Sequence, residues 1–225
     1  MHPLLIPLHT SFHAHADPGE AASMKAYLKD QFAFLGIKAG KRRALAKEFI
    51  KEVGKQDRTV PENLVREMWA LPEREFQHTA IDLLIRYQRS APLSHLDLYE
   101  ALIVNKSWWD TVDMLAGTLV GTCFQRHPEM IQSRTEIYIQ SGNMWLQRTA
   151  LLFQLKYKQA TDWELLKRYC LQCAGSKEFF IQKAIGWALR QYSKFEAELV
   201  RTFVETHELP ALSRREALKY LNRQE

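Results

Sequence analysis

Apolar residues recur along the chain at spacings of three and four, interrupted at short intervals by proline, glycine or polar clusters, and this pattern predicts helices throughout. The first is expected over residues 3–15. Asp17 and Pro18 supply an N-cap and a proline at the first helical position of the second, which carries Tyr27 and closes near Gly36. A third helix is expected over 41–53, with Gly54 as its terminator. Thr59 and Pro61 open a fourth that ends before Pro72, and segments 72–88, 92–104 and 108–125 follow. His127 and Pro128 start another, ended by Gly142, and 143–158, 161–173, 176–192, 195–206 and 213–223 complete the series. Capping boxes mark three of the starts: Ser107 with Asp110, Thr161 with Glu164, and Ser213 with Glu216. Nowhere do β-branched and polar residues alternate long enough to suggest a sheet.

An internal repeat organises these helices. Compared with itself at an offset of 35, the chain shows Phe76-Gln77-His78-Thr79-Ala80, Leu146-Gln147-Arg148-Thr149-Ala150 and Ile181-Gln182-Lys183-Ala184-Ile185. The same offset from Gln77 falls on Val112, inside Ser107-Trp108-Trp109-Asp110-Thr111-Val112-Asp113. A fixed period of this length without strand signals predicts stacked helical pairs, an α-solenoid, formed as a single domain over residues 1–225. The position after the glutamine reads His78, Asp113, Arg148 and Lys183, so along one ridge of the stack Asp113 is expected as a lone acid among basic residues.

Composition then narrows the function classes. With 46% apolar and 11% aromatic residues, the 225-residue chain has the means to bury a large core. Net charge is +5, yet residues 1–140 hold 17 basic and 17 acidic side chains, whereas 141–225 hold 14 and 9. The excess in the last third suits an anionic partner, and nucleic acid is the commonest. No apolar run approaches a membrane span, no signal peptide is read at the start, and three cysteines, an odd number, indicate a reducing, cytoplasmic setting.

Candidate chemistry concentrates in two helices. Trp109 and Asp113 are four residues apart and share a face. Such a pair is ordinarily a core tryptophan and a solvated acid; an acid set where it would repel a polyanion favours a chemical role. Lys183, Trp187, Arg190 and Lys194 form a cationic stripe around a second tryptophan, and Arg148 and Lys156 are expected on the preceding repeat's helix. Cations for phosphates beside aromatic platforms suit a nucleobase-handling groove. The basic start of the third helix, including Arg43, reads either as a solvated face or as a phosphate contact. His9 and His13 have the spacing of a zinc pair but lack further ligands, and Cys170 and Cys173 lack a second pair, so no metal site is expected.

At these residues the chain resembles the AlkD-type DNA alkylation repair family, bacterial DNA glycosylases built from HEAT-like repeats. The similarity runs through Tyr27, Phe34-Leu35-Gly36-Ile37, Leu71-Pro72-Glu73-Arg74-Glu75-Phe76, and Lys106 through Asp113. It continues through Trp145-Leu146-Gln147-Arg148, Phe153 through Tyr157, Ser176 through Trp187, and Leu212 through Ala217. The resemblance implies an all-α solenoid of HEAT-like helical pairs with a concave basic groove, acting without a cofactor on double-stranded DNA with alkylated bases. It implies that Asp113 is the catalytic carboxylate, that Trp109 and Trp187 form an aromatic cleft, and that Arg148 assists them. Tyr27, Arg43, Lys156, Lys183, Arg190 and Lys194 are the expected DNA contacts, on a protein expected to act as a monomer.

The reaction implied is release of 3-methyladenine and 7-methylguanine. Asp110 is expected to be occupied in its capping box and Lys183 to lie too far away, leaving Asp113 without a companion acid or a nucleophilic amine and predicting hydrolysis alone. The alternatives are a non-catalytic HEAT-like scaffold for nucleic acid or protein, and a reader of single-stranded RNA.

Overall fold

A computed structural model of the protein describes residues 1–223; the last two positions of the domain expected over 1–225 lie outside the described residues. Among the described residues all regular elements are helical, apart from an isolated parallel bridge between Ala33 and Glu73. The chain divides into two compact units, Met1–Leu98 and the remainder from Tyr99.

The first unit contains α1 (Leu5–Ala14), α2 (Pro18–Tyr27), α3 (Ala39–Gln56), α4 (Glu62–Ala70) and α5 (Arg74–Tyr87). Its core is built from one face of each of α1, α3, α4 and α5, with Phe12, Val53, Leu64, Met68 and Phe76 fully buried. Asp17 caps α2 as expected, accepting from the amides of Gly19 and Glu20 at 3.0 and 3.1 Å. The helix does not continue to Gly36, because Lys29 and Asp30 turn into the left-handed region at φ 58° and 60°. The amides of Leu35, Gly36 and Ile37 instead donate to the buried Glu75 carboxylate at 2.9–3.1 Å, satisfying donors that a helix would have used internally. Gly54 does not terminate α3, which runs past it. Glycine is needed there because a Cβ would lie 1.8 Å from the Tyr87 hydroxyl.

Helix α6 (His95–Ile103) leads the chain into the second unit. There α7 (Trp109–Met114) passes through a π-helical stretch, Leu115–Val120, into α8 (Gly121–Arg126) without leaving the helical path. Next come α9 (Ile131–Gln140), α10 (Met144–Leu152), α11 (Trp163–Gln172), α12 (Phe179–Tyr192), α13 (Ala197–Thr206) and α14 (Ala211–Leu218). Packing of α7 on α10, α10 on α12, and α12 on α14 builds a layered stack of helices within this unit.

The repeat glutamines have a structural explanation. Gln77 donates to the carbonyls of Met68, Trp69 and Leu71, Gln147 to Ile139, and Gln182 to Ser176. Gln77 and Gln147 thereby bind carbonyls at the end of the preceding helix, and Gln182 binds one in the loop that leads into its own helix. None of the three capping boxes forms. Ser107 donates to the Ile103 carbonyl at 2.6 Å and α7 starts one residue later than expected. Asp162, not Thr161, caps α11, and α14 starts at Ala211, so that Ser213 lies inside it. Helix α10 ends at Leu152, which places Lys156 in the following turn rather than on the helix.

Candidate active site

Asp113 sits in the last turn of α7, and Arg148, one repeat later, sits in α10 packed beside it. Their side chains meet in a bidentate pair, Nε donating to Oδ1 at 2.7 Å and Nη2 to Oδ2 at 2.9 Å. The remaining guanidinium nitrogen, Nη1, donates to the Phe180 carbonyl at 2.5 Å. The fork therefore ties the first turn of α12 to α7. Asp113 is not the unpartnered acid that the sequence suggested. Burial raises its pKa; the hydrogen bonds and charge of Arg148 oppose the rise, nearby Asp110 adds to it, and the net shift is upward from the ordinary aspartate value.

The pair opens onto a cavity of about 310 Å³ lined by Trp109, Asp113, Arg148, Phe179, Phe180, Lys183, Trp187, Arg190 and Glu216. Helical spacing explains the walls: Trp109 and Asp113 share a face of α7, and Lys183, Trp187 and Arg190 share a face of α12. Phe180 is packed from behind by Trp108, with ring centroids 5.2 Å apart, and by Trp145 at 5.1 Å. This aromatic backing fixes the rim without contributing charge.

Sequence reading missed Phe179, Phe180 and Glu216. Glu216 bridges two of the expected phosphate ligands, with Lys183 Nζ 3.1 Å from Oε1 and Arg190 Nη1 2.8 Å from Oε2. Burial pushes its pKa up, but the hydrogen bond from Lys183 and the surrounding cations outweigh that and hold it below the usual value. The site therefore has two carboxylates, and Lys183, expected to be remote, lines the same cavity as Asp113. A second inward-facing acid was legible only as the acidic partner of Ser213 in an apparent capping box.

The other expected contacts lie outside this cavity. Lys156 donates to the Thr118 hydroxyl at 2.6 Å, and Lys194 to the Gln191 side chain at 2.8 Å. In the first unit Tyr27 is exposed, and Arg43 is largely exposed beside Asp82 at 3.5 Å. His9 and His13 bring their Nε2 atoms within 3.1 Å, but no group of three or more potential metal ligands occurs among the described residues. Cys123, Cys170 and Cys173 are free and buried.

A family model described as "DNA alkylation repair enzyme" matches residues 8–221. The chain is also similar to a solved structure named "Predicted DNA alkylation repair enzyme from Enterococcus faecalis", with 37% identity and a TM-score of 0.84. That match covers 92% of this chain and 96% of the other. No curated protein matches.

Proposed function

From the premise that the chain belongs to the DNA alkylation repair enzyme family, we propose that it is a monofunctional DNA glycosylase releasing cationic alkylated purines, 3-methyladenine and 7-methylguanine, from duplex DNA. The observation that carries this reading is an ionisable carboxylate, Asp113, oriented by a buried arginine at the edge of a tryptophan-walled cavity. Alkylation gives the purine a positive charge, so the base leaves as a neutral molecule without being protonated. That removes the need for the general acid that ordinary glycoside hydrolysis requires.

In this reading the bond between C1′ and the base nitrogen breaks, and its electron pair stays with the base. Positive charge develops on the sugar, and the Asp113 carboxylate stabilises it. Arg148 leaves lone pairs on both carboxylate oxygens, and one accepts a hydrogen bond from the water that attacks C1′. Of the water's two protons one stays on the new C1′ hydroxyl and the other passes to solvent, leaving an abasic site and a free base. Trp109 and Trp187 hold the deoxyribose and favour its charge through their ring faces. Tyr27, Arg43, Lys156 and Lys194 are assigned to backbone contacts, and the protein acts as a monomer without a cofactor. Strand cleavage through a Schiff base needs a neutral amine, whereas the Lys183 ammonium is engaged by Glu216.

The test is release of free base from methylated duplex DNA by the purified protein, with the strand left intact. Asp113→Asn is expected to lower the rate by two to three decades, the effect of about 3–4 kcal/mol of lost electrostatic stabilisation. Duplex affinity should be kept or improved, since a negative charge is removed. The Asn side chain keeps one acceptor for Arg148, so the fold survives with a lower Tm. Absence of base release by the unmodified protein would favour a non-catalytic scaffold instead.

A further inference from the structure

Glu216 reaches the cavity through a close approach of two helices. Where α12 meets α14 it carries Gly186, and a Cβ there would lie 2.6 Å from Glu216 Cβ and 2.8 Å from the Ser213 carbonyl oxygen. Ser213 fixes the register by donating its hydroxyl to the Gln182 carbonyl at 2.8 Å. Its side chain only 10% exposed, Glu216 is therefore held against α12.

Lys183 and Arg190 are seven residues apart, a rise of roughly 10.5 Å along a helix. Left alone, two like charges on flexible arms would diverge into solvent. Glu216 instead draws one head group to each of its oxygens, at 3.1 and 2.8 Å. An ammonium has three N–H donors and a guanidinium five. With side chains 36% and 27% exposed, both cations keep donors for a ligand in the cavity they line.

The charges specify that ligand. Arg148 cancels Asp113, and Glu216 sets one negative charge against Lys183 and Arg190, which leaves a surplus of one positive charge. A singly charged tetrahedral anion with hydrogen-bonding oxygens matches it, and a phosphodiester is such an anion.

We propose that Glu216 is a positioning residue that locks Lys183 and Arg190 into a seat for one backbone phosphodiester beside the sugar presented to Asp113. The identity of that sugar rests on the glycosylase reading; the seat itself does not. A carboxylate that merely neutralised surface charge would give no dependence on a particular phosphate.

The experiment uses the whole protein and duplexes with a stable abasic analogue, in which each flanking phosphodiester is replaced in turn by a neutral methylphosphonate. For the wild type, one replacement should weaken binding about tenfold, as loss of a charge-assisted hydrogen bond worth ~1.4 kcal/mol does. In Glu216→Gln and in Lys183→Gln that position should no longer stand out, and Glu216→Asp, which keeps the charge on a shorter arm, should restore part of the effect. Glu216→Gln should also bind unmodified duplex at least as tightly at low salt, because the positive surplus grows; loss of structure would weaken it. If Glu216→Gln does not fold, Lys183→Gln carries the comparison. A wild type with no sensitive position, or a variant that keeps the same penalty at the same position, overturns the proposal. Base release measured in parallel separates the two readings. Release without a sensitive phosphate discards the seat, and a sensitive phosphate without release discards the glycosylase.

Discussion

Burial raises the pKa of Asp113 above the 3.8 of an ordinary aspartate, and the two bonds from Arg148 pull it back only in part. The ionised carboxylate is the form that stabilises a developing cation, so base release should fall as pH drops through this raised pKa. The acid limb of the single-turnover rate should therefore lie above the position of a free aspartate. Arg148→Lys exchanges a planar fork for a point charge; the limb should move to higher pH and the rate should drop even where Asp113 is ionised. A pH–rate profile for each protein checks this, and an unmoved limb would show that Arg148 does not govern the carboxylate. Stability has the opposite sign: the folded state binds this proton more tightly, so the cost of ionising Asp113 is absent below the unfolded pKa and grows until the folded pKa is passed. The repeat alignment made Asp113 and Arg148 comparable positions, and helical spacing put Trp109 with one and Trp187 with Lys183. The pairing of Asp113 with Arg148 and of Glu216 with two cations was not legible, because it depends on which helices touch.

Helices α7 and α8 show what an element adds to such residues. The π-helical stretch between them carries Gly117, and Gly121 follows it immediately. The two glycines look alike in sequence and differ in their surroundings. A Cβ at Gly117 would make ordinary contacts of 3.5 Å or more with Leu152 and Leu155, whereas at Gly121 it would lie 2.4 Å from the Phe153 carbonyl oxygen. Gly117→Ala should therefore be neutral or stabilising by about 0.5 kcal/mol, since alanine loses less backbone freedom on folding. Gly121→Ala should destabilise by about 1–3 kcal/mol, as overpacking does. Urea unfolding of both variants decides it; equal effects would remove the distinction. Element positions were largely legible because apolar spacing survives any arrangement of neighbours. Their ends were less so. Ser107, Thr161 and Ser213 all satisfy a local capping pattern, yet each hydroxyl finds a carbonyl instead. The path of the chain beyond the end of α2 is held by Glu75, about forty residues away in sequence from the Leu35, Gly36 and Ile37 amides that it receives.

At the scale of the whole molecule, the uneven charge of residues 141–225, 14 basic against 9 acidic side chains, was plain in the sequence. How much of it is available to a polyanion was not, since counting charges does not reveal which are already paired. Arg148, Lys167, Arg168 and Arg201 each have a carboxylate partner, whereas Lys183 and Arg190 share one, Glu216, and keep a surplus positive charge. Lys156 and Lys194 instead bond neutral partners, Thr118 and Gln191, and their full charge is left to meet phosphates. Each phosphate neutralised releases counterion and contributes roughly 0.9 to the slope of log affinity against log salt. Binding to unmodified duplex should therefore weaken steeply with salt, and Lys156→Ala and Lys194→Ala should each reduce the slope by roughly one, with little dependence on sequence. Arg168→Ala removes a cation that Glu136 already holds at 2.9 Å, and should leave the slope close to that of the wild type. Titrations across a range of salt concentrations measure all four proteins on one scale. Equal slopes for the three variants would mean that internal pairing does not decide which cations meet DNA, and affinity indifferent to salt would argue for the protein-binding scaffold.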